Sequence, residues 1–223
     1  MPLEFPTSRF GFLEQEVDVE RQTLKGGTAL NGEQDLVSTD GGGRVFAEFA
    51  SGALVDRDTV LAWRAVLGAL EEGVTRAVVP FCDTRHQPHG PRHRVPHSDQ
   101  TPFSDDSLYA GGGAVGRATN GAELRATQLA ITVPLVQPLI GGEWFAIEHP
   151  GKGWRAYKVK GIVLQDAAGA IVKFVPPLRE AVAANEVVDF ANPRCLMVQD
   201  GRASSRLSNR RYTDAAIRFI EAP

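Results

Sequence analysis

Residues 141–198 are a succession of short apolar, β-branched and aromatic runs cut at close intervals by turn residues, a pattern that points to a small antiparallel sheet. The strand candidates are Glu143–Glu148, Trp154–Leu164, Ala170–Val175, Glu186–Phe190 and Cys195–Gln199, with turns at Pro150-Gly151 and Asp166–Gly169. Pro176-Pro177 cannot donate to a strand ladder, so the third strand must end there. Trp144, Phe145, Trp154, Tyr157 and Phe174 fall on or beside these strands and are expected as core and cross-strand pairs.

The remainder follows the same logic with one helix. Residues 12–22 alternate in part, with Val17 and Val19 between charges. Asn31-Gly32 suits a type I′ hairpin turn. Arg44–Leu54 is a second strand candidate. Over 56–72, Val60, Trp63, Leu67 and Leu70 recur on one face, Asp56 or Asp58 can cap the start, and Gly73 marks the end. A strand over 76–82 follows, so the helix is expected to pack across a sheet. Regularity is then lost from Asp83 to about Gly121, where Gly111–Gly113 reads as a hinge. Strand character returns in 124–139, with Leu129, Ile131 and Val133 on one side and Pro134 and Pro138 at its end. The expected organisation is one mainly β domain over 1–200, with 83–121 as a long loop or arm and 201–223 as an arginine-rich C-terminal extension.

Composition bounds the function. The 223 residues carry a net charge of −3, so no broadly basic nucleic-acid surface is expected. No apolar run approaches the ~20 residues of a membrane helix, and MPLEFPTSRF lacks the order of a secretory signal, so synthesis in a cytoplasm and no membrane partner are expected. Cys82 and Cys195 each lie in an apolar run and read as buried thiols.

The sharpest chemical cluster is His86, His89, His93 and His97, close behind Cys82 and Asp83, since imidazole and thiolate are zinc ligands. Its spacing matches no H-E-x-x-H or paired C-x-x-C pattern, and Pro88, Pro91 and Pro96 break any helix that would align it. The plainer reading is a polar loop whose histidines, with Arg85, Arg92 and Arg94, meet neighbouring subunits. Arg202, Arg206, Arg210 and Arg211 are interface candidates of the same kind. No G-x-S-x-G elbow is present, and neither glycine triplet carries the lysine and hydroxyl of a phosphate loop. Asp99, Asp105 and Asp106 lack the glycine and glutamate offsets of a calcium loop. No enzyme activity and no cofactor are expected.

Four stretches carry a resemblance: Gly141-Gly142-Glu143-Trp144-Phe145-Ala146-Ile147, Arg155-Ala156-Tyr157-Lys158-Val159, Asp166-Ala167-Ala168-Gly169-Ala170, and Pro176-Pro177-Leu178-Arg179-Glu180-Ala181. With Val187-Val188-Asp189-Phe190 and Pro193-Arg194-Cys195-Leu196-Met197 they resemble the C-terminal half of distal tail (tail-tip, baseplate) proteins of long non-contractile-tailed bacteriophages. The order of Leu30–Gln34, Val45–Phe49 and the 56–72 helix agrees more loosely. The resemblance implies a tail-tube-like antiparallel β-sandwich or split barrel with a flanking helix, assembled as a ring, usually a hexamer. Its partners would be other copies of itself, the tail tube protein, the tape measure protein and hub or receptor-binding proteins. DNA would pass only as cargo, and the protein would reside in the virion. The alternatives from the residues are a ligand- or carbohydrate-binding β-sandwich using the tryptophan-bearing sheet, and a zinc-dependent enzyme using the 86–97 histidines.

Overall fold

The computed structural model describes all residues except 1, 22, 29, 39–42, 82–85, 96–100, 102–103, 105–108, 134–137, 167–168 and 208–212. The N-terminal elements are β1 (Leu3–Glu4), β2 (Glu14–Glu20), β3 (Thr23–Thr28), β4 (Gln34–Ser38), β5 (Arg44–Leu54), α1 (Arg57–Leu70) and β6 (Ala77–Pro80). The middle of the chain forms β7 (His89–Val95), β8 (Tyr109–Gly113), β9 (Val115–Ala118), β10 (Gln128–Thr132), β11 (Trp144–His149), β12 (Gly153–Gln165), β13 (Ala170–Val175) and β14 (Val187–Asp189). The chain closes with β15 (Arg194–Gln199), β16 (Ser204–Leu207) and β17 (Thr213–Glu221). The protein is therefore mainly β with one α-helix among the described residues.

These strands build two bodies. β9 to β14 close into a six-stranded barrel, and an open seven-stranded sheet runs β1-β6-β15-β17-β5-β2, with β16 extending the β15 side of β17. The barrel is contiguous in sequence, whereas the sheet draws on the chain before β7 and after β14. The barrel is thus an insertion between two neighbouring sheet strands, β6 and β15. The expected division into a 1–200 domain and a C-terminal extension does not hold, because β17 lies inside the sheet between β15 and β5. Residues 213–221 are apolar on alternate positions, and burial of Ala215, Ile217 and Phe219 outweighs the polar character of the approach to them.

Each body has a core, and that of the sheet is shared: Trp144 and Ala156 of the barrel strands β11 and β12 are buried in it. In the sheet, Phe5, Phe10, Phe49, Trp63 and Phe219 are all at most 1% exposed, with Phe5 and Phe219 ring centres 4.7 Å apart. α1 lays Trp63 and Leu70 fully into this core, with Val60 and Leu67 half-buried beside them. Asp56 caps the helix by accepting from the Thr59 N–H at 2.8 Å. The helix ends at Leu70 with Glu71 in the left-handed region, and Gly73 follows at φ 100°. The Gln199 carbonyl passes so close to Gly73 that any Cβ there would collide with it. In the barrel, Phe145, Tyr157, Phe174 and Phe190 meet tilted or edge-on at centroid distances of 5.3–5.5 Å, and Leu129, Ile131 and Val133 are buried together as their alternation predicts.

Two hairpins pair with the strands of neither body. β3–β4 forms around Asn31-Gly32, but the turn is longer than the expected two-residue type I′: Thr28 pairs with Gln34. Gly32 takes the positive φ of 83°, while the Asn31 carboxamide accepts from the Glu33 N–H. β7–β8 lies within 83–121, so this stretch is not one irregular loop. Gly111–Gly113 belong to strand β8, not to a hinge. β9, from the same stretch, is a barrel strand.

Candidate functional site

The strongest concentration of buried charge lies where the barrel meets the sheet. Arg155 sits near the start of β12, on the strand face shared with Tyr157, and is 2% exposed. Glu221, the last residue of β17, is 3% exposed. Arg179 arrives from the turn after β13, which is pinned by Leu178 exchanging backbone bonds with Ala126 and Arg125. The three converge. Arg179 donates from Nε and Nη2 to the two Glu221 oxygens, each at 2.8 Å, and Arg155 Nη1 donates to Oε1 at 3.3 Å. The Val45 N–H adds a bond to Oε2 at 3.2 Å. Arg179 also donates to the Gly43 carbonyl, and Arg155 to the Ala222 carbonyl. Burial opposes the charge on Arg179, but its bonds to Glu221 outweigh this and hold its pKa above the ordinary value.

This cluster fixes barrel to sheet, since its members come from β12, the β13–β14 connection and β17. A bidentate arginine on a fully hydrogen-bonded carboxylate is the arrangement in which buried charge is tolerated. Beside it, the Tyr157 hydroxyl accepts from the Arg179 N–H at 3.2 Å and meets His149 Nε2 at 2.7 Å. Burial lowers the His149 pKa to about 4, partly opposed by Glu180, so the imidazole is neutral at pH 7. Burial likewise raises the Tyr157 pKa and pushes the Cys195 thiol up to about 12. Cys195 is therefore a buried thiol, as read from the sequence; Cys82 lies outside the described residues.

Above the buried cluster opens a cavity of ≈ 720 Å³ lined by Arg21, Arg44, Lys152, Arg155, Arg179 and Glu221, with Glu20 and the terminal Ala222-Pro223 at its rim. Arg21, Arg44 and Lys152 are exposed and make no ion pair with the described residues. Glu20 is taken by Arg218 at 3.1 Å.

The residues singled out in the sequence lie elsewhere. His86 is exposed just before β7, while His89, Arg92, His93 and Arg94 are on β7, whose pairing slips between His89 and His93. Arg85 and His97 lie outside the described residues. Among the described residues no group of three or more histidines, cysteines or carboxylates could hold a metal ion. Arg202 is exposed after β15, Arg206 is in β16 opposite Asp214, and Arg210 and Arg211 lie outside the described residues. Phe145, Tyr157 and Phe174 are buried in the barrel core and Trp144 in the sheet core against Phe81, while Trp154 is capped by the Arg194 guanidinium 4.0 Å from its ring centre. Sequence reading missed Arg155 and Glu221, and took Arg179 only as part of a strand stop.

Fold and site define a mainly β protein in which a closed barrel is joined to an open sheet by apolar packing and by buried charge. Compared with known proteins, the chain matches no family model, and no curated protein matches it.

Proposed function

We propose that the protein is a structural component of the tail tip of a long non-contractile-tailed bacteriophage, with a tail-tube-like fold and no catalytic role. It forms a ring, of hexameric type, that joins the tail tube to the hub and receptor-binding apparatus around the DNA channel. The observation that supports this best is the pair of hairpins that join neither sheet nor barrel. β3–β4 and β7–β8 each pair only within themselves among the described residues, and a two-stranded ribbon is marginal without a partner. The β3–β4 arm also exposes Leu24 and Leu30, at 63% and 111%. Neighbouring copies supply what such arms lack, and they cover the open sheet edges at β1 and β2 as well. The strand-and-turn order of 141–198 adds its resemblance to tail-tip proteins.

Carbohydrate binding on the tryptophan-bearing sheet is disfavoured, because Trp144 and its aromatic neighbours are spent in the core. Light scattering of the purified protein, with negative-stain electron microscopy, tests the proposal. Closed rings of several copies are expected. A protein that stays monomeric up to its solubility limit overturns it.

A further inference from the structure

We propose that the tip of the β3–β4 arm docks into the cavity between sheet and barrel of a neighbouring copy, so that each chain gives one arm and receives one. This rests on the ring reading above and names the contact that builds the ring. The first observation is the tip itself. Leu30, Asn31, Gly32, Glu33, Gln34 and Asp35 are all exposed, Leu30 completely. The turn is held by its own bonds: the Asn31 carboxamide donates to Glu33 Oε2 at 2.8 Å and accepts from the Glu33 N–H at 3.1 Å. A tip fixed in this way has little freedom left to lose on binding.

The second observation is charge. Glu33 and Asp35 make no ion pair with the described residues. Lys25, the one basic residue of 23–38, lies further back on the arm, opposite Leu36. The cavity offers the opposite sign. Arg21, Arg44 and Lys152 stand exposed along it, likewise with no ion pair among the described residues. Carboxylates on the tip and cations on the rim steer the two surfaces together and fix their register.

The third observation is what lies between the charges. Leu30 lacks apolar cover, and the cavity presents Ile220, Ala222 and Pro223 beside its cations. An apolar anchor inside a polar rim is the usual anatomy of a protein interface. The chain's own arm does not fill the cavity. It springs from the rim at Arg21 and Gly43, and the six residues of β3 carry the tip about 20 Å along the ribbon, into solvent. Tip and cavity are different surfaces of one chain, so their contact is head-to-tail, the kind that closes rings.

Two charge-reversed variants of the full chain test this by light scattering: Glu33→Lys/Asp35→Lys on the arm and Arg44→Glu/Lys152→Glu on the cavity. Each is expected to weaken self-association about tenfold or more. Mixing the two variants is expected to restore it, because each cavity then meets an arm of the sign it needs, and a misfolded variant would not be rescued. Variants that assemble like the wild type overturn this contact and leave the ring standing. Weakened association that mixing does not restore also overturns it. A wild-type chain that stays monomeric overturns the ring and the contact together.

Discussion

The barrel and the sheet solve the same problem in opposite ways. The barrel has no edges, is built from consecutive residues, and closes on the cross-strand rings of Phe145, Tyr157 and Phe174. The sheet is open and borrows from both ends of the chain: its core is completed only when Phe5 from the N-terminus meets Phe219 near the C-terminus. A closed body of local contacts can stand by itself, whereas a discontinuous body with free edges depends on long-range closure and on neighbours. The Arg155–Glu221–Arg179 cluster sits where these two kinds of stability are tied together.

The sharpest way to break this contrast is to damage one core. Phe219→Ala removes the ring at the centre of the sheet and is expected to cost about 3–5 kcal/mol. Amide hydrogen exchange should show β5, β15 and β17 losing protection while β11–β13 keep theirs. Uniform loss in both bodies would mean a single cooperative unit and would sink the distinction. The next largest effect is at the junction. Glu221→Leu takes the shared carboxylate away from the buried Arg155 and the half-buried Arg179, at a cost of about 3 kcal/mol in chemical denaturation. Replacing Arg155 with methionine as well should recover part of that loss, because it takes the worst-placed charge away. A double variant no better than the single one would show that the charge left on Arg155 is not what destabilises.

The contrast also explains what the sequence could tell. Barrel strands were legible because their signals are local: alternation at Leu129, Ile131 and Val133, the Pro150-Gly151 turn, and the stop at Pro176-Pro177. The helix was legible for the same reason. β17 was not placed, since its pairing with β5 joins residues at opposite ends of the chain, and nothing within 213–221 names that partner. β8 was missed because Gly111–Gly113 carries no strand propensity; pairing with β7 overrides it. The candidate site suffered most. The histidines of 86–97 attract notice by lying near one another in sequence, whereas Arg155 and Glu221 are single charged residues in unrelated strands. Only the fold brings them within 3.3 Å.

Two smaller effects refine the junction further. His149 is buried and neutral, with a folded pKa of about 4 against an ordinary value of 6.5. The unfolded chain takes up a proton between these values and the folded chain does not. The stability from the neutral ring is therefore complete above pH 6.5 and is lost as pH falls towards 4. The expected loss is on the order of 2 kcal/mol, and His149→Gln should flatten that part of a denaturation-versus-pH profile. An unchanged slope in the variant would assign the acid sensitivity to other groups.

The smallest effect is at a more exposed ion pair between the bodies, where Lys158 of β12 donates to Asp18 of β2 at 2.9 Å. Burial would raise the Asp18 pKa, but the bond from Lys158, the Val19 N–H and the charges of Lys158 and Arg21 together outweigh it and the pKa is lowered. Both side chains are substantially in water, at 32% and 51% exposure, so the pair is screened where the Glu221 cluster is not. Lys158→Met should cost about 0.5 kcal/mol at low salt and nothing measurable in molar salt. Glu221→Leu should keep its full effect in the same salt. If the two variants instead respond alike, the Glu221 cluster is as wet as the Lys158 pair, and its charge adds nothing to the apolar packing between barrel and sheet.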